Sequence, residues 1–212
     1  MMRFIAVLIA LALPIAVISA EHGDKKTGEE KFGDAGKGQQ IAKQVCAACH
    51  GTDGNSPLSA NPNLAGQHAS YLYKQLIEYK NGTRSNAIMA GMIASLSDED
   101  MRNVSAYFAS QTAMQGTASD MDLVTTGQKL YRAGIPERGV AACTSCHSPD
   151  GAGIPPVYPR VAGQHPEYAA AQLRAFRAGE RNNDPNAMMR MLAGRLNDAE
   201  INAVVEYMSG LR

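Results

Sequence analysis

Cys46-Ala47-Ala48-Cys49-His50 decides the reading of this chain, and it occurs a second time as Cys143-Thr144-Ser145-Cys146-His147. C-x-x-C-H is the attachment signature of a c-type haem. Two thiols must reach the two vinyl groups on one edge of a porphyrin and form thioethers, and the two intervening residues set that span. The histidine directly after the second thiol is carried under the ring, where it can ligate the iron. The two matches use all four cysteines of the chain. Cys46, Cys49, Cys143 and Cys146 are therefore the candidate attachment points of two covalent haem c groups, with His50 and His147 as candidate axial ligands.

Three other uses of paired cysteines are outweighed by the doubled motif. A redox dithiol needs a thioredoxin-like βαβ context, and no strand pattern is present. A structural zinc could take four cysteines, but the pairs lie far apart and each has its own adjacent histidine. Two simple disulfides would suit an exported protein but leave the histidines unexplained.

Outward from the motifs the chain repeats itself. Gly38-Gln39-Gln40-Ile41 matches Gly127-Gln128-Lys129-Leu130. Pro62-Asn63-Leu64-Ala65-Gly66-Gln67-His68 matches Pro159-Arg160-Val161-Ala162-Gly163-Gln164-His165. Tyr71, Gln75, Leu76, Gly82, Arg84 and Asn86 match Tyr168, Gln172, Leu173, Gly179, Arg181 and Asn183. Ala87, Met89, Leu96, Asp98 and Tyr107 match Ala187, Met189, Leu196, Asp198 and Tyr207. Only two insertions interrupt the order, both in the second copy: one around Gly134–Gly139, the other Asp184-Pro185-Asn186. The copies span 34–111 and 123–212, joined by a Ser/Thr/Gly/Asp-rich linker at 112–122.

Residues 1–20 read as a secretory signal: Arg3, an apolar run from Phe4 to Ile18, then Ser19-Ala20 as a cleavage site. The run falls short of the ~20 residues of a spanning helix, so cleavage near Ala20 is expected over an uncleaved anchor. Covalent haem attachment agrees with export to the periplasm, because c-type haems mature outside the cytoplasm. Residues 21–33 are charged and aperiodic and read as a mobile tail. Twenty Lys/Arg balance twenty Asp/Glu, and no basic patch argues for nucleic acid. Trp is absent. Domains of this size bury proportionally little surface, and a haem supplies apolar bulk to each.

Helix is expected wherever a period is visible. Asp34 to Ala48 reads as a helix running into the motif, with a counterpart in the second copy. Ala69 to Lys80 carries Tyr71, Leu72, Leu76 and Tyr79 on one face, and Ala169 to Ala178 repeats it. The last helix of each copy opens with Ser97/Asp100 or Asn197/Glu200, spaced as capping boxes.

Each iron needs a second axial donor well downstream of its histidine. Methionine leads, since His/Met is the pair of electron-transfer cytochromes c. Met89 and Met92 compete in the first copy, and Met188, Met189 and Met191 in the second. Aligned from the C-terminal side, Met89 falls on Met189, while Met92 falls on Leu192, Met188 on Ile88 and Met191 on Gly91. Only one position is methionine in both copies, which selects Met89 and Met189. His68 and His165 offer a bis-histidine alternative but read more simply as polar residues at helix starts. Pro62 and Pro159 stand twelve residues after their histidines, where a backbone carbonyl can hold the imidazole N–H. Arg84 and Arg181 are candidates for haem propionates, against the alternative of solvated surface arginines. Arg190 and Arg195 flank Met189 where Ala90 and Ser95 flank Met89, which predicts a higher potential for the C-terminal haem.

The haem motif, the Pro-x-Leu/Val segment, the late methionine and the final helix resemble class I cytochrome c, twice over. The tandem arrangement, with Gly-Gln-His after each proline loop, is similar to the di-haem cytochromes of the cytochrome c4 group and covers essentially the whole mature chain. The resemblance implies an all-α fold of two class I cytochrome c domains, each wrapped around one covalent haem. It implies a periplasmic, non-enzymatic electron carrier with two His/Met haems whose propionate edges meet at the domain interface. Electrons would come from a quinol-oxidising bc-type complex and go to a terminal oxidase. A monomer with at most peripheral membrane association is expected. A peroxidase-like di-haem enzyme and a cytochrome subunit of a membrane redox complex are the alternatives.

Overall fold

The computed structural model describes residues 32–211. The signal and most of the charged tail lie outside the described residues. The described chain is all-α, and its only extended pairings are two isolated bridges, Ile135 with Val140 and Ile154 with Tyr158.

The first half holds α1 (Ala35–Ile41), α2 (Ala47–His50), α3 (Ala69–Lys80), α4 (Ala87–Ile93) and α5 (Asp98–Ala109). The second half holds α6 (Met121–Ala133), α7 (Thr144–His147), α8 (Pro166–Ala178), α9 (Met188–Ala193) and α10 (Asp198–Ser209). In each half the opening helix packs on the closing one, α1 on α5 and α6 on α10. The contact is close because a glycine stands at the crossing. A Cβ on Gly38 would lie 2.0 Å from the Asn103 carbonyl oxygen, and one on Gly127 would lie 2.0 Å from that of Ala203. Leu72, Val104, Tyr107 and Phe108 fill the first core, and Leu130, Tyr131, Ile201, Val204 and Tyr207 the second.

Local chemistry sets the helix starts. Ser97 and Asp100, and equally Asn197 and Glu200, form complete capping boxes, each satisfying otherwise orphaned N–H groups. Asp34 Oδ1 accepts from the N–H groups of Gly36 and Lys37 to open α1.

One sequence expectation is corrected. The helix that runs into the motif exists only in the first half, where α1 continues through a π turn at Ala42–Cys46 into α2. In the second half α6 stops at Ala133, Gly134 takes φ +68°, and the insertion folds back with Ile135 and Val140 exchanging backbone hydrogen bonds of 2.8 and 3.0 Å. Asp120 Oδ1 accepts from the N–H groups of Asp122 and Leu123 and starts α6 at Met121. The Phe32 ring meets Tyr73 edge-on at 5.7 Å and lies under Arg102.

Candidate haem sites

Each motif closes in a single helical turn, α2 or α7, so the two thiols and the histidine are held at i, i+3 and i+4. His50 Nδ1 lies 3.0 Å from the Pro62 carbonyl oxygen, and His147 Nδ1 lies 2.9 Å from that of Pro159. With Nδ1 donating, the tautomer is settled and Nε2 presents its lone pair to a metal. Burial lowers both imidazole pKa values against the raising effect of the proline carbonyls. The rings are thus neutral at pH 7, as ligation requires. None of the four cysteines is in a disulfide. Burial pushes the Cys46 and Cys143 thiols up to about 11, the reverse of the low-pKa thiolate that makes a reactive dithiol. A neutral first thiol in each pair and a carbonyl-anchored histidine after the second fit thioether attachment of haem better than a redox dithiol.

The methionines separate by exposure. Met89 and Met189 occupy equivalent places on α4 and α9 and are both half-buried. Met92 is 42% exposed and Met191 54%. Met188 has its own partner, with the Tyr158 hydroxyl 3.9 Å from its sulfur. The equivalence holds despite different helix starts. In α4 the Asn86 side chain caps the Met89 N–H. In the second half the insertion displaces this role, and Asn183 turns inward instead.

Arg84 and Arg181 are buried, only 6% and 8% exposed, which removes the alternative of solvated surface arginines. Arg84 donates to Gln75 Oε1 at 2.7 Å, Gln172 Oε1 at 2.8 Å and the Tyr168 hydroxyl at 3.0 Å. Arg181 donates to Gln172 Oε1 at 2.9 Å, Gln75 Oε1 at 3.2 Å, the Tyr71 hydroxyl at 3.0 Å and Asn183 Oδ1 at 3.0 Å. Each guanidinium thus reaches a glutamine and a tyrosine of the other half. All these partners are neutral, and among the described residues neither arginine forms an ion pair with a carboxylate. Two buried cations with only neutral acceptors make a site suited to anionic groups such as haem propionates.

Comparison with known proteins turns this geometry into a family assignment. A family model described as Cytochrome c matches residues 35–112 and again 124–212. The chain belongs to the cytochrome c family. Cytochrome c4 of Pseudomonas aeruginosa is 42% identical over 206 residues, covering 96% of this chain and 98% of that one. Cytochrome c4 of Azotobacter vinelandii is 42% identical over 215 residues, covering 96% and 98%. The crystal structure of reduced recombinant cytochrome c4 from Pseudomonas stutzeri superposes with a TM-score of 0.82 at 43% identity, covering 85% of this chain and 100% of that one. Within the family the chain falls in the cytochrome c4 group, as a di-haem electron-transfer cytochrome with two covalently bound haem c groups.

Other parts of the cytochrome c4 framework escaped the sequence reading. Asp184, in the three-residue insertion, accepts from the Arg190 guanidinium at 2.7 Å and from the Arg190 N–H at 3.0 Å. Of the two arginines behind the expected higher C-terminal potential, Arg190 is therefore offset in place. Arg195 donates to the Gly139 carbonyl. Gln67 and Gln164 reach across the interface to the backbone of the opposite half, and nothing in the repeat signals this beyond their equivalent positions. His165 Nε2 meets the Ser56 carbonyl of the first half at 3.0 Å. That contact gives it work at the interface rather than at its own haem. Its counterpart His68 is half-buried, with Nε2 enclosed near the Ala152 backbone and making no side-chain hydrogen bond.

Proposed function

We propose that the chain is an exported electron carrier with two six-coordinate irons, His50/Met89 in one domain (34–111) and His147/Met189 in the other (123–212). Haem supplies the one-electron couple when bound. The residues of the chain hold it, exclude water and set its potential. Pro62 and Pro159 orient the two histidines, and Arg84 and Arg181 receive the propionates between the domains. The periplasm is the proposed location, with the leader removed near Ala20 and contact with membranes peripheral; no described helix is long and apolar enough to cross one. A quinol-oxidising bc-type complex is the proposed donor, a terminal oxidase the acceptor, and the monomer the working form.

The observation that carries the carrier reading is the likeness of the two sites. The histidine–proline bonds are 3.0 and 2.9 Å, and the ligand methionines stand at one repeat position with similar burial. A di-haem peroxidase needs unlike irons, one of them open. The test is the oxidised spectrum of the holoprotein. Two methionine-to-iron bands at the red end support the carrier, and a high-spin component defeats it. Copurification with membranes after leader removal would instead favour a subunit docked in a membrane complex.

A further inference from the structure

The peptide unit between Pro62 and Asn63 has two ends. Its carbonyl oxygen takes the His50 Nδ1 hydrogen bond at 3.0 Å. Its N–H, on Asn63, donates to Gln164 Oε1 at 2.8 Å, and Gln164 Nε2 donates back to the Asn63 carbonyl at 3.0 Å. The second site repeats this with the domains exchanged. The Pro159 carbonyl takes the His147 bond at 2.9 Å. The Arg160 N–H on the same peptide unit donates to Gln67 Oε1 at 2.9 Å, and Gln67 Nε2 donates to the Arg160 carbonyl at 2.9 Å.

Each glutamine is itself fixed. Gln67 Oε1 also accepts the His68 N–H at 3.0 Å, and Gln164 Oε1 accepts the His165 N–H at 3.1 Å. Each oxygen therefore gathers two backbone donors, and the amide cannot flip without losing both.

We infer that each domain's glutamine positions the haem histidine of the other domain: Gln164 acts on His50, and Gln67 acts on His147. The chain of bonds is continuous, from imidazole N–H to proline carbonyl, through the peptide, to the N–H held by glutamine oxygen. Linked hydrogen bonds polarise one another. Donation to the glutamine draws density toward the proline oxygen and makes it a better acceptor. A stronger bond at Nδ1 makes the imidazole a more basic ligand, which favours the oxidised iron and lowers the potential. The domain interface is thereby wired into both ligand fields in a crossed sense. The inference rests on the proposal that His50 and His147 are axial ligands.

The test uses the full di-haem protein. Gln164→Leu removes the oxygen facing Asn63. In the reduced, diamagnetic protein the His50 Nδ1 proton should move upfield and the His147 proton should stay. In a redox titration followed by the NMR methyl signals of each haem, the N-terminal potential should rise and the C-terminal one hold. Gln67→Leu should give the mirror result. Gln164→Glu keeps an oxygen for Asn63, so the His50 proton should lie at or downfield of its wild-type position. That comparison decides the matter by itself if the leucine variant does not fold. Changes on the haem of the mutated domain, equal changes on both, or none on either would overturn the inference. So would an upfield His50 proton in Gln164→Glu. Ligation is judged separately, because the wild-type oxidised spectrum either has the methionine-to-iron bands or lacks them before any variant is made.

Discussion

Replacing Gly38 or Gly127 by alanine should unfold its domain at a markedly lower temperature. At each site the new Cβ would stand 2.0 Å from a backbone carbonyl oxygen and 2.8 Å from the Cβ of Tyr107 or Tyr207. The closest tolerable approach is 3.0 Å, so the helix pair must part by about 1 Å. No rotamer relieves a clash with backbone. Overpacking of this kind costs about 1–3 kcal/mol, and a backbone clash belongs at the upper end. Alanine returns about 1 kcal/mol of helix propensity, which leaves a net loss of about 2 kcal/mol. In a domain of this size that is a fall of roughly 8–16 °C. Thermal unfolding of the holoprotein by circular dichroism measures it. Gly91→Ala is the control: Gly91 lies inside α4 with nothing within 4 Å of the new Cβ, so this variant should hold or gain stability. A Gly38→Ala or Gly127→Ala protein that melts no lower than Gly91→Ala would refute the glycine-mediated crossing.

Met89→Leu and Met189→Leu should each remove the methionine-to-iron band of one haem and lower its potential, while Met92→Leu and Met191→Leu, altering exposed side chains, should leave both bands intact; the oxidised spectrum reads this directly. Asp184→Asn should leave Arg190 uncompensated and raise the C-terminal potential with the N-terminal one unchanged, as redox titration of the two haems would record. Glu206 is buried on α10 and accepts from the Ser119 hydroxyl at 2.8 Å and the Asp120 N–H at 2.9 Å. Burial raises its pKa, but the bonds from Asp120 and Ser119 outweigh this and hold the carboxyl below the usual range. The unfolded state therefore binds more protons in acid, and this contribution is present above the ordinary Glu pKa and lost as pH falls through the depressed value. Glu206→Gln should flatten the acid side of the stability–pH curve and cost about 1 kcal/mol at pH 7, measured by denaturant unfolding across the range.

Much of the molecule is written in short-range spacing. The porphyrin's two vinyl groups demand two thiols three residues apart and a histidine next to the second, so both motifs are legible wherever they occur. Capping boxes at Ser97 and Asn197 are equally local, since a side chain bonds an N–H three residues on. The internal repeat adds a comparison that no single copy offers: it picks out one methionine position of several and sets the proline carbonyls opposite the histidines. What escaped that reading is decided only once the chain has folded, whether the partners are near or far in sequence. The insertion at Gly134–Gly139 ends α6 early because a positive-φ glycine turns the chain back on itself, a choice that residue types alone leave open. Asp184 cancels the charge of Arg190 only once the insertion has folded. The burial of Arg84 and Arg181, and the reach of Gln67 and Gln164 to Arg160 and Asn63, join residues 84 to 110 apart in the chain. Those contacts depend on how two finished domains dock. Hydrogen bonds between surfaces are fixed by complementary shape, and local sequence records only that a glutamine or an arginine is available.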